Sequence, residues 1–333
     1  MITLGIESSC DETGAGLVDG EFRVLGQCVY SQAASHARFG GVVPEVAARA
    51  HLEKIAPVVE AVMTEAKIQA EEIDVIAYTR GPGLLGPLLV GSTFAQGMAK
   101  ALGKPAMGLS HLEGHLASAY LSHPKLEPPF LLLLVSGGHT ELVKVEKGLV
   151  IKVLGRTRDD AAGEAFDKCG KILGLDYPAG PEVARLAQTG RRDFLRFPRA
   201  MLEPGSLEFS FSGLKTAVLR EAQKRGVEEV SKLRNDFCAS LEAAIVEVLR
   251  EKAESALQQS GESRLVLAGG VAANLSLRRE LTHSARQQGF ELILPETRYC
   301  GDNGVMMAAA AQKRLQWGIW PESGGVSASL TWN

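Results

Sequence analysis

The order of secondary-structure signals in this chain repeats, and that repeat limits the fold more than any single motif does. Apolar runs at residues 2–7, 14–18 and 22–32 read as a meander of three strands. An amphipathic helix follows at 44–66, with Val46, Ala50, Ile55, Val58, Val59, Val62 and Met63 on its apolar face and Pro44 in its first turn. A buried strand at 73–78, a helix of small residues at 85–102, a strand at 106–109 and a helix opening at His111 complete the first series. The second series has strands at 130–135, 140–145 and 150–154, then a polar insert at 159–214. A helical stretch at 230–259, broken near Asn235, leads to a buried strand at 265–268, a helix at 274–287, a strand at 292–294 and a last helix from about Asp302 to Trp317.

A βββ-α-β-α-β-α order written twice, without sequence identity between the copies, predicts an α/β protein. The expected fold is a pair of duplicated RNase H-like lobes of the actin/Hsp70/sugar-kinase architecture, with a nucleotide cleft between them. The first lobe is expected to take residues 1–128 plus 303–333, including the histidine helix, and the second 129–302 with the insert. The length of 333 residues suits two lobes. Net charge is −3, so no overall basic field draws in nucleic acid, and a polyanion must be met by local patches or other chains. Five scattered cysteines without a CxxC pair point to reduced thiols and a cytoplasmic location. The longest strongly apolar run, 130–135, is far too short for a bilayer, so no membrane association is expected.

In His111-Leu112-Glu113-Gly114-His115 the histidines stand at i and i+4, on one helix face. Both imidazoles can then reach one divalent metal, and Asp302 near the last helix start would complete a His₂Asp site with an open position. Such a set suits Zn²⁺ and Fe²⁺ alike. Glu113 is turned about 200° from His111 on a helix, so it cannot be the water-activating base of a peptidase.

Three turns have the character of phosphate-holding loops: residues 7–13, Ser136-Gly137-Gly138-His139-Thr140, and Ala268-Gly269-Gly270-Val271-Ala272-Ala273-Asn274, the last leading from a strand into a helix start. Asp167 is placed to accept hydrogen bonds from a ribose, and the rigid loop 177–181 to line it. Asp11 and Glu12 are candidate proton acceptors. Arg191, Arg192, Arg196, Arg199 and Lys215 in the insert either meet RNA phosphates or form a solvated face, since acids are interleaved among them.

Together these motifs resemble the TsaD family. The resemblance runs through GIESSCDETG at the start, HARFGGVVPEVAAR from His36, AYTRGPGLLGPLLVG from Ala77, HLEGHLAS, LLVSGGHTEL, DDAAGEAFDK, FSFSGLKT, AGGVAAN and CGDNGVMMA. It implies transfer of threonylcarbamoyl to N6 of adenosine 37 in tRNAs that read codons beginning with A. It implies one divalent metal, Fe²⁺ or Zn²⁺, on His111, His115 and Asp302. It implies contacts to threonylcarbamoyl-adenylate, or to AMP or ATP, through Leu134, Val135, Ser136, Gly137, Gly138, Asp167, Gly180 and Asn274. Leu134 stands where archaeal and eukaryotic relatives carry Tyr, which resembles bacterial members and leaves a coordination position for the substrate. Bacterial members act with a TsaB-like paralogue of the first lobe and a TsaE-like ATPase, with a homodimer as an alternative in their absence.

Two other classes share the expected fold. A kinase would need a carboxylate base and Mg²⁺ rather than imidazole ligands, and a silent scaffold would have no use for His111, His115 and Asp302 together. The small residues Gly91, Ser92, Ala95 and Ala99 of the helix at 85–102 suggest a surface for a partner helix, with packing on its own sheet as the alternative.

Overall fold

The computed structural model describes residues 1–320, so the part of the first-lobe assignment at 321–333 lies outside the described residues. Its described residues divide into two compact units, one formed by Met1–Leu126 with residues 295–320, the other by Glu127–Leu294.

In the first unit β1 (Ile2–Glu7), β2 (Glu12–Asp19) and β3 (Val24–Ser31) form an antiparallel meander, and β4 (Val75–Gly81) and β5 (Ala106–Ser110) extend it in parallel, in the order β3-β2-β1-β4-β5. Phe22, expected in the third strand, instead sits in the turn before it with φ of 62°. The helices are α1 (Ala33–Ala37), which the pattern of apolar residues did not announce, α2 (Pro44–Ala66), α3 (Leu85–Leu102) and α4 (His111–Ser122). Leu4, Ile6, Ala15 and Leu17 of the sheet, Ile55, Val58, Val59 and Val62 of α2, and Ala95 and Ala99 of α3 form one buried core.

The second unit repeats the topology. Strands β6 (Phe130–Val135), β7 (Thr140–Glu146) and β8 (Val150–Arg156) form the meander, and β9 (Arg264–Ala268) and β10 (Glu291–Ile293) run parallel to β6, in the order β10-β9-β6-β7-β8. Between β8 and β9 lie α5 (Ala162–Ile172), α6 (Gly180–Ala187), α7 (Ser212–Arg225), α8 (Val227–Lys232) and α9 (Arg234–Ser260). The helix α10 (Leu275–Gln288) connects β9 to β10.

The final helix, α11 (Gly304–Gln316), packs on α4, β1 and β2. The chain rejoins the first unit at Pro295 rather than at 303, so Asp302 belongs with the histidines and not with the second unit. The reason is visible in the connection: the Glu296 amide donates to Ser122 Oγ at the end of α4 (2.9 Å), and Asn303 Nδ2 donates to the Gly301 carbonyl (2.6 Å). Glycine permits the close approach of α11. A Cβ at Gly5 would lie 2.1 Å from the Gly304 carbonyl oxygen, and one at Gly304 only 2.3 Å from the backbone of Ala15. Among the described residues no helix is long and apolar enough to cross a membrane.

Candidate functional site

Parallel strands in α/β sheets present their carboxyl ends to ligands. In the first unit those ends are Glu7 on β1, Gly81 on β4 and Ser110 on β5, and α4 starts directly after Ser110. His111 is therefore the first residue of α4 and His115 lies one turn on, both buried. Asn303, not Asp302, caps α11, its Oδ1 accepting from the Met306 amide at 2.8 Å. Asp302 thus precedes the helix rather than opening it, and the tight seat of α11 on β1 and β2 carries it to the histidines. His111 Nε2 and His115 Nε2 lie 3.6 and 3.2 Å from Asp302 Oδ1, and one ligand atom from each of the three residues lies within 4.8 Å of the others.

The electrostatics suit a cation. Glu7 is fully buried at the end of β1, and its Oε2 lies 3.1 Å from His111 Nδ1. Burial lowers the basicity of His111, but the charges of Glu7 and Asp302 outweigh it and take its pKa up to about 9. Burial likewise opposes ionisation of Glu7, yet His111 holds that carboxyl below its usual range. His115 is 0% exposed, and neither ring nitrogen has a hydrogen-bond partner among the described residues. A buried imidazole left so is costly unless a ligand takes one nitrogen. The residues present therefore fit a divalent cation.

Asp11 ends the turn from β1 into β2, and Glu12 is the first residue of β2. Asp11 is buried, and burial followed by the charges of Asp302 and Asp11 pushes the Glu12 carboxyl up to about 9. Glu113 faces away from the histidines as the helical spacing requires. Both its oxygens accept from Arg314 of α11, at 2.7 and 2.8 Å, so it ties α4 to α11 and has no part in hydrolysis.

In the second unit the corresponding strand ends carry turns. Gly137 and Gly138 are exposed, and a Cβ on either would meet nothing within 4 Å, so the turn leaves room for a ligand at its backbone. Leu134 and Val135, immediately before that turn, are both 0% exposed, in a strand paired on both sides. Asp167 Oδ1 accepts from the amides of Ala179 and Gly180, at 2.8 and 3.1 Å, and so braces the loop expected to line a ribose. The third turn does not run straight into a helix: a 3-10 turn at Gly270–Ala273 intervenes. Asn274 then caps α10, its Oδ1 accepting from the Leu277 amide (2.8 Å) while its Nδ2 donates to Glu242 (2.7 Å).

Sequence reasoning missed Glu7 and Glu242, which hold His111 and Asn274. The signal for Glu7 is a carboxylate closing an otherwise apolar strand. Three basic residues of the insert are matched with acids: Arg191 with Asp236, Arg192 with Glu280 and Arg199 with Glu247, while Arg196 and Lys215 are exposed. The small residues of α3 point inward. Gly91, Ser92, Ala95 and Ala99 are buried, and a Cβ at Gly91 would lie 2.0 Å from Ser8 Oγ. Close packing on the first unit's own sheet accounts for them, and they form no partner surface.

Comparison with known proteins adds independent findings. The model of the family described as "TsaD: tRNA N6-adenosine threonylcarbamoyltransferase" matches residues 23–309. A tRNA N6-adenosine threonylcarbamoyltransferase of Polaromonas naphthalenivorans is 52% identical over 96% of this chain and 90% of its own length. The protein of that name from Paraburkholderia xenovorans is 49% identical over 99% and 96%. Among solved structures, full-length HypF in its phosphate- and nucleotide-bound form aligns with 96% of this chain and 47% of its own, at 15% identity and a TM-score of 0.61. Component A of (R)-2-hydroxyglutaryl-CoA dehydratase from Acidaminococcus fermentans aligns with 95% of this chain and 99% of its own, at 15% identity and a TM-score of 0.57. These two support the actin/Hsp70/sugar-kinase type of α/β fold and nothing further. With the family model across most of the chain and relatives at about half identity over nearly all of it, the chain belongs to the TsaD family of tRNA N6-adenosine threonylcarbamoyltransferases.

Proposed function

We propose that this protein transfers threonylcarbamoyl from threonylcarbamoyl-adenylate to N6 of adenosine 37 in tRNAs that read codons beginning with A, forming N6-threonylcarbamoyladenosine. The observation that carries this reading is the convergence of His111, His115 and Asp302 in a chain 52% identical to a relative of that name. In the reaction a bond forms between N6 and the carbamoyl carbon, and the bond from that carbon to the phosphate oxygen breaks, with AMP leaving. A divalent cation held by His111, His115 and Asp302, Fe²⁺ or Zn²⁺, would supply Lewis acidity toward a substrate oxygen and offset the charge of Asp302.

The remaining work falls to the chain. N6 loses a proton as it attacks, and the turn of Asp11 and Glu12 is where we place its acceptor. Burial, then the charges of Asp302 and Asp11, raise the Glu12 carboxyl to about 9, which favours a proton on Glu12. For the adenylate (or AMP or ATP), we assign the phosphate to the Ser136–Gly138 turn and the ribose to Asp167 with the loop it braces at Gly180. Asn274 presents an amide whose orientation is set by Glu242 and Leu277.

We assign a TsaB-like partner to the outer face of α3. Leu85 and Leu89 are exposed there, and so is Leu52 on α2, one turn beyond Ala48, which packs at Gly86. Leu89→Glu should prevent heterodimer formation in size-exclusion chromatography while the monomer stays folded. A heterodimer of normal yield would move the interface elsewhere. A TsaE-like ATPase completes the set, and the native metal and a cytoplasmic location belong to the same proposal.

The direct test is nucleoside mass analysis of tRNA after incubation with this protein, threonine, bicarbonate, ATP and the partner proteins. The modified adenosine should appear at position 37 and depend on this chain. Unmodified tRNA with partners shown to be active would overturn the proposal.

A further inference from the structure

Glu7 ends β1 with a carboxylate that the sheet itself does not need. Leu4 and Ile6 of the same strand are core residues, and Glu7 is as buried as they are, at 0% exposure. An unpaired carboxylate in such a place is expensive, so each of its contacts carries weight. Oε1 accepts from the Ser9 amide at 2.6 Å. Oε2 accepts from the Thr79 hydroxyl and lies 3.1 Å from His111 Nδ1. Ser9 Oγ lies 3.2 Å from the same ring nitrogen.

An ionised carboxylate can only accept. The hydrogen of the Glu7–His111 contact must therefore sit on Nδ1, which leaves Nε2 as the nitrogen available to a ligand. Nε2 is also the atom that faces Asp302, 3.6 Å away. His115 has no such orienting acid on Nδ1: neither of its ring nitrogens makes a hydrogen bond among the described residues, and its Nε2 lies 3.2 Å from Asp302 Oδ1. The two histidines are thus held differently, His111 by a buried acid on Nδ1 and His115 without one.

We propose that Glu7 is a positioning residue for the candidate cation site, holding the ring of His111 with Nδ1 protonated so that Nε2 meets a divalent ion shared with His115 and Asp302. This rests on the cation site proposed above, but it does not depend on the transfer reaction. Carboxylate partners of ligating histidines fix the tautomer, and their loss commonly lowers metal affinity about 10–100-fold.

The test is Zn²⁺ affinity, measured by chelator competition on the full chain. Glu7→Gln should bind Zn²⁺ about 10–100-fold more weakly. Ring ¹⁵N shifts of the Zn²⁺-loaded unmutated protein should show His111 protonated at Nδ1 and bound through Nε2, a readout that needs no variant to fold. Unchanged affinity in folded Glu7→Gln, or metal on His111 Nδ1, overturns the role of Glu7. A protein whose Zn²⁺ binding is untouched by His111→Ala overturns the cation site itself, a different outcome from either of these.

Discussion

The two units share one strand order, three antiparallel strands extended by two parallel ones, yet they furnish the ends of those strands in opposite ways. In the first unit Glu7 closes the opening strand, Asp11 and Glu12 lie where the chain enters the second, and the helix after the fifth strand begins with His111. In the second the matching turn is Ser136-Gly137-Gly138-His139, and the turn after β9 is Gly269-Gly270. One unit offers ionisable side chains, a type suited to ligating ions and moving protons. The other offers bare backbone, a type suited to phosphate oxygens at close range. On the function proposed here a single topology would serve two chemistries, because strand ends fix where a ligand can sit and turn residues decide what kind it is.

That division can be broken by variants that act on one unit alone. The largest effect is expected from His111→Ala. Zn²⁺ occupancy should fall with transfer, by at least about 100-fold in kcat/KM, while AMP affinity in a direct binding assay stays within twofold (about 0.4 kcal/mol). Full transfer by a metal-free variant would make the ion a bystander. The reverse experiment is Asp167→Asn, which should weaken AMP binding by about 1–3 kcal/mol and leave Zn²⁺ stoichiometry alone. Unchanged AMP affinity would move the ribose elsewhere.

A smaller effect sharpens the comparison on the stability side. Asp159, just before α5, accepts from the hydroxyls of Ser210 and Ser212 and the amides of Phe211 and Ser212, at the start of α7. Burial opposes its ionisation, but these donors hold its carboxyl below the usual range. A depressed acid stabilises above its unfolded pKa of about 3.9, and the contribution fades as pH falls through the folded value. Asp159→Ala should therefore cost about 1 kcal/mol at pH 7, reduced by its exposure to water, and less and less below about pH 4. A variant equally destabilised at pH 7 and pH 3 would mean that the loss is packing rather than charge.

Much of this was legible in the residues. The histidine pair shows because a helix has a period, and Asp302 because an acid stands just before the last helical pattern. The lobes show because apolar runs and turns alternate in a fixed order. What stayed hidden depends on contacts between segments distant in sequence. Chain order does not say that α11 returns to the first unit, and the glycines that seat it, Gly5, Gly14, Gly16 and Gly304, look like turn and strand irregularities until the helix lies on them. The small residues of α3 suggest either an outer or an inner contact, and only the packing of Gly91 against Ser8 decides for the inner one. Glu7 was absorbed into the reading of a phosphate loop, although its neighbour in space is a histidine on α4.

The central claim is that His111, His115 and Asp302 hold one divalent ion. Anomalous diffraction at the zinc edge, from crystals of the full chain grown with Zn²⁺, tests it most directly. The account predicts one strong peak at about 2.0–2.3 Å from Nε2 of both histidines and from an Asp302 carboxylate oxygen. No peak there, in crystals whose protein binds Zn²⁺ elsewhere, would contradict it.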